Sequence, residues 1–303
     1  MNRVAQLALH RIFYAQTANV IEQLQPDIVV STHPFPSTVV SRLKRSGLDV
    51  PLCTVITDYD AHGTWISSGT NLYLVSTSNV RDKLTEKGVP RNKIAVTGIP
   101  VHPCFWQRND KAQVAKELNL KNMPTVLIMG GGWGIMGKLD MTEYLMNWRE
   151  DVQFIICVGN NDKAREELLE NPVYHHPNIQ VKGFTDNIDK LMDVADLLIT
   201  KPGGMTCTEA MAKGLPMLFY DAIPGQEEEN LQYFISRGFA ETIDSINVVE
   251  KWLNLLVSDY SGYKKIRQSI DMNIHAYRPE RCVETILQYM DESFETSRSW
   301  INA

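Results

Sequence analysis

The sequence lacks every spacing that would make its cysteines a site. The five, at 53, 104, 157, 207 and 282, form no CxxC or similar pair. That excludes a zinc site or disulfide framework read from spacing, and it fits a reducing compartment. No apolar run approaches the ~20 residues of a membrane-crossing helix. Residues 1–25 mix Arg3, Arg11 and Glu22 with apolar positions at helical spacing, so they are no secretory signal. There is no basic stripe and no aromatic platform for nucleic acid. Repeats and low-complexity segments are missing too.

What is present is ordinary in bulk and uneven in detail. Hydrophobic residues make up 44% and charged residues 22% of 303, the profile of a globular chain long enough for two domains. Net charge is −6, yet residues 1–106 hold 10 Lys/Arg against 7 Asp/Glu, and the remainder 20 against 29. A basic first half suits an anionic lipid surface; ordinary surface variation explains it equally well.

Short β-branched runs, apolar on both faces, recur at 27–31, 51–57, 72–76 and 93–97, then at 125–130, 152–159, 179–183, 196–200 and 216–220. Such runs are expected of parallel strands covered by helices. Helix-like segments fill the gaps at 34–46, 79–87, 110–119, 137–148, 186–194, 205–213, 226–237, 247–257 and 279–292. The class is α/β, doubly wound. The Pro- and turn-rich stretch 98–124 places a boundary near 106, giving domains 1–106 and 107–303. The first is thin: four strands, an opening helix and no glycine-rich first βα turn. The expectation is a chain beginning downstream of that domain's natural start.

In doubly wound sheets ligands bind beyond the C-terminal strand ends. Three turns there stand out. GGGWG (130–134) leaves backbone N–H groups open to an anion, but Ile135 breaks a G-x-G-x-x-G reading. KPGGMTCTEA (201–210) puts Gly203, Gly204, Met205 and Thr206 at a helix start, whose positive end suits phosphate. Glu209, a turn further on, has two acceptor oxygens for a ribose diol, although dipole compensation alone would also explain it. DAIPGQEEEN (221–230) opens a helix with three glutamates preceded by Gln226, whose amide matches sugar hydroxyls.

The series TDYDAHGTW (57–65), VTGIPVHPCF (96–105), MGGGWGIMG (129–137), VKGFTDNIDKLM (181–192), ITKPGGMTCTEAMAKGLP (199–216) and IPGQEEEN (223–230) resembles the diacylglycerol glycosyltransferases. These are the bacterial processive diacylglycerol glucosyltransferases and the plant monogalactosyldiacylglycerol synthases, with MurG more distant. The resemblance spans about residues 26–290. It implies a two-Rossmann (GT-B) fold whose terminal helix returns to the first domain. It also implies an inverting hexosyltransferase that moves glucose or galactose from a UDP-sugar to diacylglycerol or a related lipid, in glycolipid synthesis. Carried over by position, Gly132, Trp133 and Gly134 would lie near the diphosphate, Phe184 would meet the uracil and 203–206 would cradle phosphate. Glu209 would hold the ribose, and Gln226 and Glu227 the sugar hydroxyls. No metal or other cofactor is expected, since no DxD-type motif occurs at these turns. The protein is expected on the cytosolic face of a membrane, peripherally bound.

Members of the family open with a strand and a glycine-rich loop containing a histidine, the expected base. No stretch here matches that loop, so residues 1–303 are expected to bind UDP with little or no transfer, which an added upstream strand-Gly-His segment would restore. The acceptor-side candidates that remain are His62 and Asp58, beyond the strand at 51–57, with His33 ranked below them. Histidines 10, 102, 175, 176 and 275 are expected to be structural. Two other readings stay open: a UDP-sugar epimerase, which needs no lipid, and a UDP-sugar-binding protein without turnover.

Overall fold

The computed structural model describes residues 3–130, 139–220, 227–274 and 280–301. The chain divides into two compact units, Met1–Pro100 with Tyr277–Ala303, and Val101–Ala276.

In the first unit, α1 (Arg3–Leu24) precedes β1 (Val29–Ser31), α2 (Pro34–Arg45) and β2 (Leu52–Val55). Then come β3 (Leu72–Val75), α3 (Ser78–Glu86) and β4 (Ile94–Val96). Pro34 starts α2 because its missing N–H costs nothing at a first helical position, and Val39, Val40 and Leu43 form the buried stripe of that helix. The strands pair in parallel in the order β1-β2-β3-β4. One sheet face carries Cys53, Val55, Leu72 and Leu74.

The second unit runs α4 (Lys111–Glu117), β5 (Thr125–Met129), α5 (Leu139–Leu145), β6 (Gln153–Cys157), α6 (Asp162–Glu170) and β7 (Ile179–Lys182). It continues with α7 (Ile188–Val194), β8 (Leu197–Thr200), α8 (Gly204–Ala212), β9 (Met217–Phe219), α9 (Glu228–Ser236) and β10 (Ala240–Thr242), then α10 (Ile246–Ser258) and α11 (Tyr260–Ile274). Its six parallel strands are ordered β10-β9-β8-β5-β6-β7. Val126, Ile128, Phe154, Ile156, Leu197 and Ile199 meet α10's Val249, Trp252, Leu253 and Leu256 in one core. Burying each such side chain is worth about 1.5–3 kcal/mol.

The last helix, α12 (Arg281–Ile301), belongs to the first unit. Its Cys282, Ile286 and Tyr289 pack on the sheet face of Cys53 and Leu74. The contact division falls a few residues before 106, and for a local reason. The 3-10 turn Pro103–Phe105 packs on α8, and the Gln107 carbonyl accepts from Lys213 Nζ at 2.6 Å. Residues 101–106 are therefore built into the second unit.

Three elements of the second unit were not read from the sequence. In α6, DKAREELLE buries only Leu168. In α11, Gly262 interrupts the opening turn of YSGYKKIRQSIDMNI. The half-buried edge strand β10 is only three residues long.

Candidate functional site

The order of the second sheet locates its crevice. From β5 the chain builds outward to β6 and β7, then returns to β8 on the other side of β5 and continues to β9 and β10. The reversal between β5 and β8 is a topological switch point, where the connecting helices leave a cleft beyond the strand ends. The turns singled out in the sequence follow β5, β8 and β9, three adjacent strands. Gly132, Trp133, Gly134 and Gln226 fall outside the described residues. Tyr220 ties the switch point together: its hydroxyl donates to the Met129 carbonyl at 3.0 Å, joining the ends of β9 and β5.

The turn after β8 is the best-defined part. Gly203 is the N-cap of α8, with φ −74° and no side-chain cap. That φ is open to any residue, so the glycine is not there for a left-handed turn. A Cβ built on Gly203 would meet no heavy atom of the described residues within 4 Å. Neither strain nor crowding among the described residues calls for glycine, and the space it leaves lies over the N-terminus of a nine-residue helix. Thr208, one of two hydroxyls in this stretch, is turned inward: it is fully buried and donates to the Gly204 carbonyl at 2.6 Å. Thr206 is half-buried, and Met205 is exposed beside it.

Glu209 lies half-buried on the same helix. Burial pushes its carboxyl up to about 7, and no hydrogen bond or ion pair to it occurs among the described residues. Cys207, fully buried, is raised well above the usual thiol value, first by burial and then by the carboxylates of Glu227 and Glu209. Both acids therefore lie around the start of α8. Glu227 is the N-cap of α9. Phe184 follows β7, two strands from β5, and is 68% exposed.

The far end of α8 is held by a network that sequence reasoning missed. Lys213 is fully buried, with Nζ 2.7 Å from Asp193 Oδ2. Asn109 donates to the same oxygen from its backbone N (3.2 Å) and its Nδ2 (2.6 Å). Arg108 donates to the Lys213 carbonyl. A lysine at a helix end ahead of Gly214, which has φ +59°, looks in sequence like a solvated C-terminal cation.

In the first unit, Asp58 and His62 follow β2 as expected. Ser76 Oγ donates to the Asp58 carbonyl at 2.9 Å, and Asp60 is paired with Lys83 at 3.0 Å. His62 is exposed and caps the 3-10 turn Gly63–Trp65; His33 is exposed and caps α2.

An open helix start at a switch point, flanked by acceptors for hydroxyls, defines a nucleotide- or phosphosugar-binding α/β protein. Comparison with known proteins specifies the class. Residues 3–101 match the family described as Monogalactosyldiacylglycerol (MGDG) synthase, and residues 125–269 the Glycosyltransferase family 28 C-terminal domain. The chain is 32% identical over 273 residues to the processive diacylglycerol beta-glucosyltransferase of Bacillus subtilis, covering 89% of this chain and 70% of the relative. Among solved structures, MurG of Acinetobacter baumannii is similar at TM-score 0.58 and 15% identity, over 92% of this chain and 77% of that one. HepE of Anabaena, in complex with UDP-glucose, is similar at TM-score 0.64 and 16% identity, over 93% and 82%. The fold is of the GT-B type, and the chain belongs to the diacylglycerol glycosyltransferase family.

Proposed function

We infer that this chain transfers a hexose from a UDP-sugar to diacylglycerol or a related lipid, with inversion at the anomeric carbon. The carrying observation is the turn after β8: open space at Gly203, a helix N-terminus behind it and, one turn on, a Glu209 carboxyl with no partner among the described residues. The helix start receives the diphosphate. Glu209 accepts from the ribose hydroxyls, and Glu227 with Gln226 reads the sugar. Phe184 stacks on the uracil, and Gly132, Trp133 and Gly134 complete the diphosphate side. On the acceptor side, Asp58 and His62 are the candidates for contact with the attacking hydroxyl or its neighbours. UDP-glucose binding by calorimetry, followed by transfer of labelled glucose to dioctanoylglycerol, tests the reading. Isomerised UDP-sugar with unlabelled lipid would overturn it.

No metal is assigned to the diphosphate. Backbone N–H groups and a helix dipole offset phosphate charge without one. UDP-glucose affinity is expected to be the same within twofold with and without EDTA, roughly the reproducibility of such a titration. A strict need for Mg²⁺ or Mn²⁺ would contradict this account of the turn.

Diacylglycerol stays in the bilayer, and no helix among the described residues is long and apolar enough to cross one. The basic surplus of residues 1–106 supports docking on an anionic cytosolic leaflet. Binding to vesicles containing phosphatidylglycerol is expected to weaken as salt rises from ~0.05 to ~0.5 M, where the Debye length shortens severalfold. Equal binding to neutral and anionic vesicles at every ionic strength would remove the electrostatic part.

A further inference from the structure

The turns after β6 and β7 meet at Gly183. A Cβ built there would lie 3.6 Å from the Gly159 carbonyl oxygen, at the end of β6, and 3.6 Å from Cδ of Arg165. Nε of the same arginine would be 3.9 Å away. The stem of Arg165 therefore runs back from α6 across the residue that precedes Phe184, whose side chain is exposed.

The position is an unfavourable one for a cation. Arg165 is the fourth residue of α6, and its backbone N–H donates to the Asn161 carbonyl at 3.1 Å, closing the first turn. The positive end of the helix dipole is close by and disfavours a guanidinium. Nothing among the described residues offsets this. Lys163, on the same helix, pairs with Glu167 at 3.8 Å. Arg165 is exposed, and no ion pair or hydrogen bond to its guanidinium occurs among the described residues. Five N–H donors thus stand beside Gly183 and Phe184 without an acceptor from the described chain.

In the donor reading the diphosphate sits at the start of α8, after β8, and Glu209 on that helix holds the ribose. Between β8 and β7 lie β5 and β6, which makes three strand spacings, roughly 14 Å. Arg165 therefore stands at the base end of the nucleotide, away from the phosphates. In uracil, C4 lies opposite the ring nitrogen that carries the ribose, so O4 points furthest from Glu209. We propose that Arg165 donates to uracil O4 and sets the choice of base in the donor. A guanidinium can only donate. O4 is an acceptor, whereas cytosine carries an amino donor at the same place. A cytidine donor would turn two donors on each other and lose the bond. The proposal rests on the reading of the chain as a UDP-sugar-dependent transferase with Phe184 against the uracil.

The test compares UDP-glucose with CDP-glucose by calorimetry, in the full chain and in its Arg165→Met and Arg165→Lys variants. Methionine keeps an unbranched stem and has no donor. Arg165→Met is expected to weaken UDP-glucose roughly 10-fold, the loss of one charge-assisted hydrogen bond, and to leave CDP-glucose within about twofold. The preference for uracil then narrows by the same factor. Arg165→Lys is expected to recover part of the loss, because an ammonium also donates. Both variants should melt with the parent chain, since the side chain is exposed. Equal losses for the two nucleotide sugars would assign Arg165 to the phosphates or to the fold and overturn the proposal. A parent chain that binds neither nucleotide sugar brings down the donor reading itself. One that binds UDP-glucose, and keeps that affinity in Arg165→Met, brings down this proposal alone.

Discussion

Lys213→Met is expected to destabilise the second unit by roughly 3–5 kcal/mol, the usual cost of removing one partner of a buried ion pair. Lys213 Nζ is the charge that offsets Asp193, a carboxylate only 6% exposed, and it also satisfies the Gln107 carbonyl. Asn109 still donates twice to Asp193 in the variant, so the lower half of the range is the better figure. In a domain of this size that corresponds to a fall in Tm of about 6–16 °C. Replacing both charges, with Lys213→Met and Asp193→Leu together, should recover part of the loss, because no uncompensated charge remains buried. Urea unfolding at constant m-value measures both variants. A loss below ~1 kcal/mol for Lys213→Met would mean the pair is hydrated in solution.

Glu209 should make donor affinity depend on pH. The free carboxyl is held at about 7 by burial, while two ribose hydroxyls donating to it favour the ionised form. Donor binding must then expel a proton whenever the site is empty and protonated. Affinity for UDP-glucose should rise about tenfold from pH 6 to pH 8 and level off above. UDP-glucose is the right ligand because, unlike UDP, it has no terminal phosphate titrating near pH 6. Glu209→Gln should abolish the pH dependence, and Glu209→Ala should weaken binding at pH 8 by roughly 10- to 150-fold, the loss of charge-assisted hydrogen bonds. Calorimetry in two buffers of different ionisation enthalpy counts the protons directly. A flat profile in the parent chain would place the ribose elsewhere.

The same residue should act on stability with the opposite sign. Between its unfolded value near 4.5 and about 7, the native state binds more protons than the unfolded chain, so stability falls as pH rises through that window. Above pH 7 the penalty is complete, and Glu209→Gln should then be more stable than the parent by up to about 3 kcal/mol. A substitution that stabilises the fold while weakening donor binding marks a group kept for its ligand.

Much of the second unit was legible because its strands are apolar on both faces, a pattern few other elements produce. Nine strand runs were read and all nine are present, while β10 escaped because AET is short and only half-buried. The turn after β8 was legible from its paired glycines. At Gly203 φ is unremarkable, and what distinguishes the position is open space among the described residues. The role of Thr208 was hidden because a hydroxyl in sequence does not reveal whether it faces a ligand or the preceding carbonyl. Lys213 and Asp193 were invisible for a deeper reason. Twenty residues apart in sequence, they meet only after two strand–helix connections have closed, and neither residue type is expected inside a core.

Burial has a chemical consequence for the thiols. Cys53 is pushed up to about 12 and Cys157 to about 11, and Cys104, Cys207 and Cys282 are also raised. Thiolates are the reactive species, so the four buried cysteines, 53, 157, 207 and 282, are expected to be slow toward alkylating reagents at neutral pH, and half-buried Cys104 is the one to replace first. Gly203, in the turn after β8, is the opposite case: a Cβ there meets no heavy atom of the described residues within 4 Å, and it lies beside a helix start that favours a thiolate. A cysteine introduced by Gly203→Cys beside Cys104→Ser is therefore expected to react first, and, if the nucleotide seats on this helix start as proposed, its labelling rate becomes a clock for how long the nucleotide stays there.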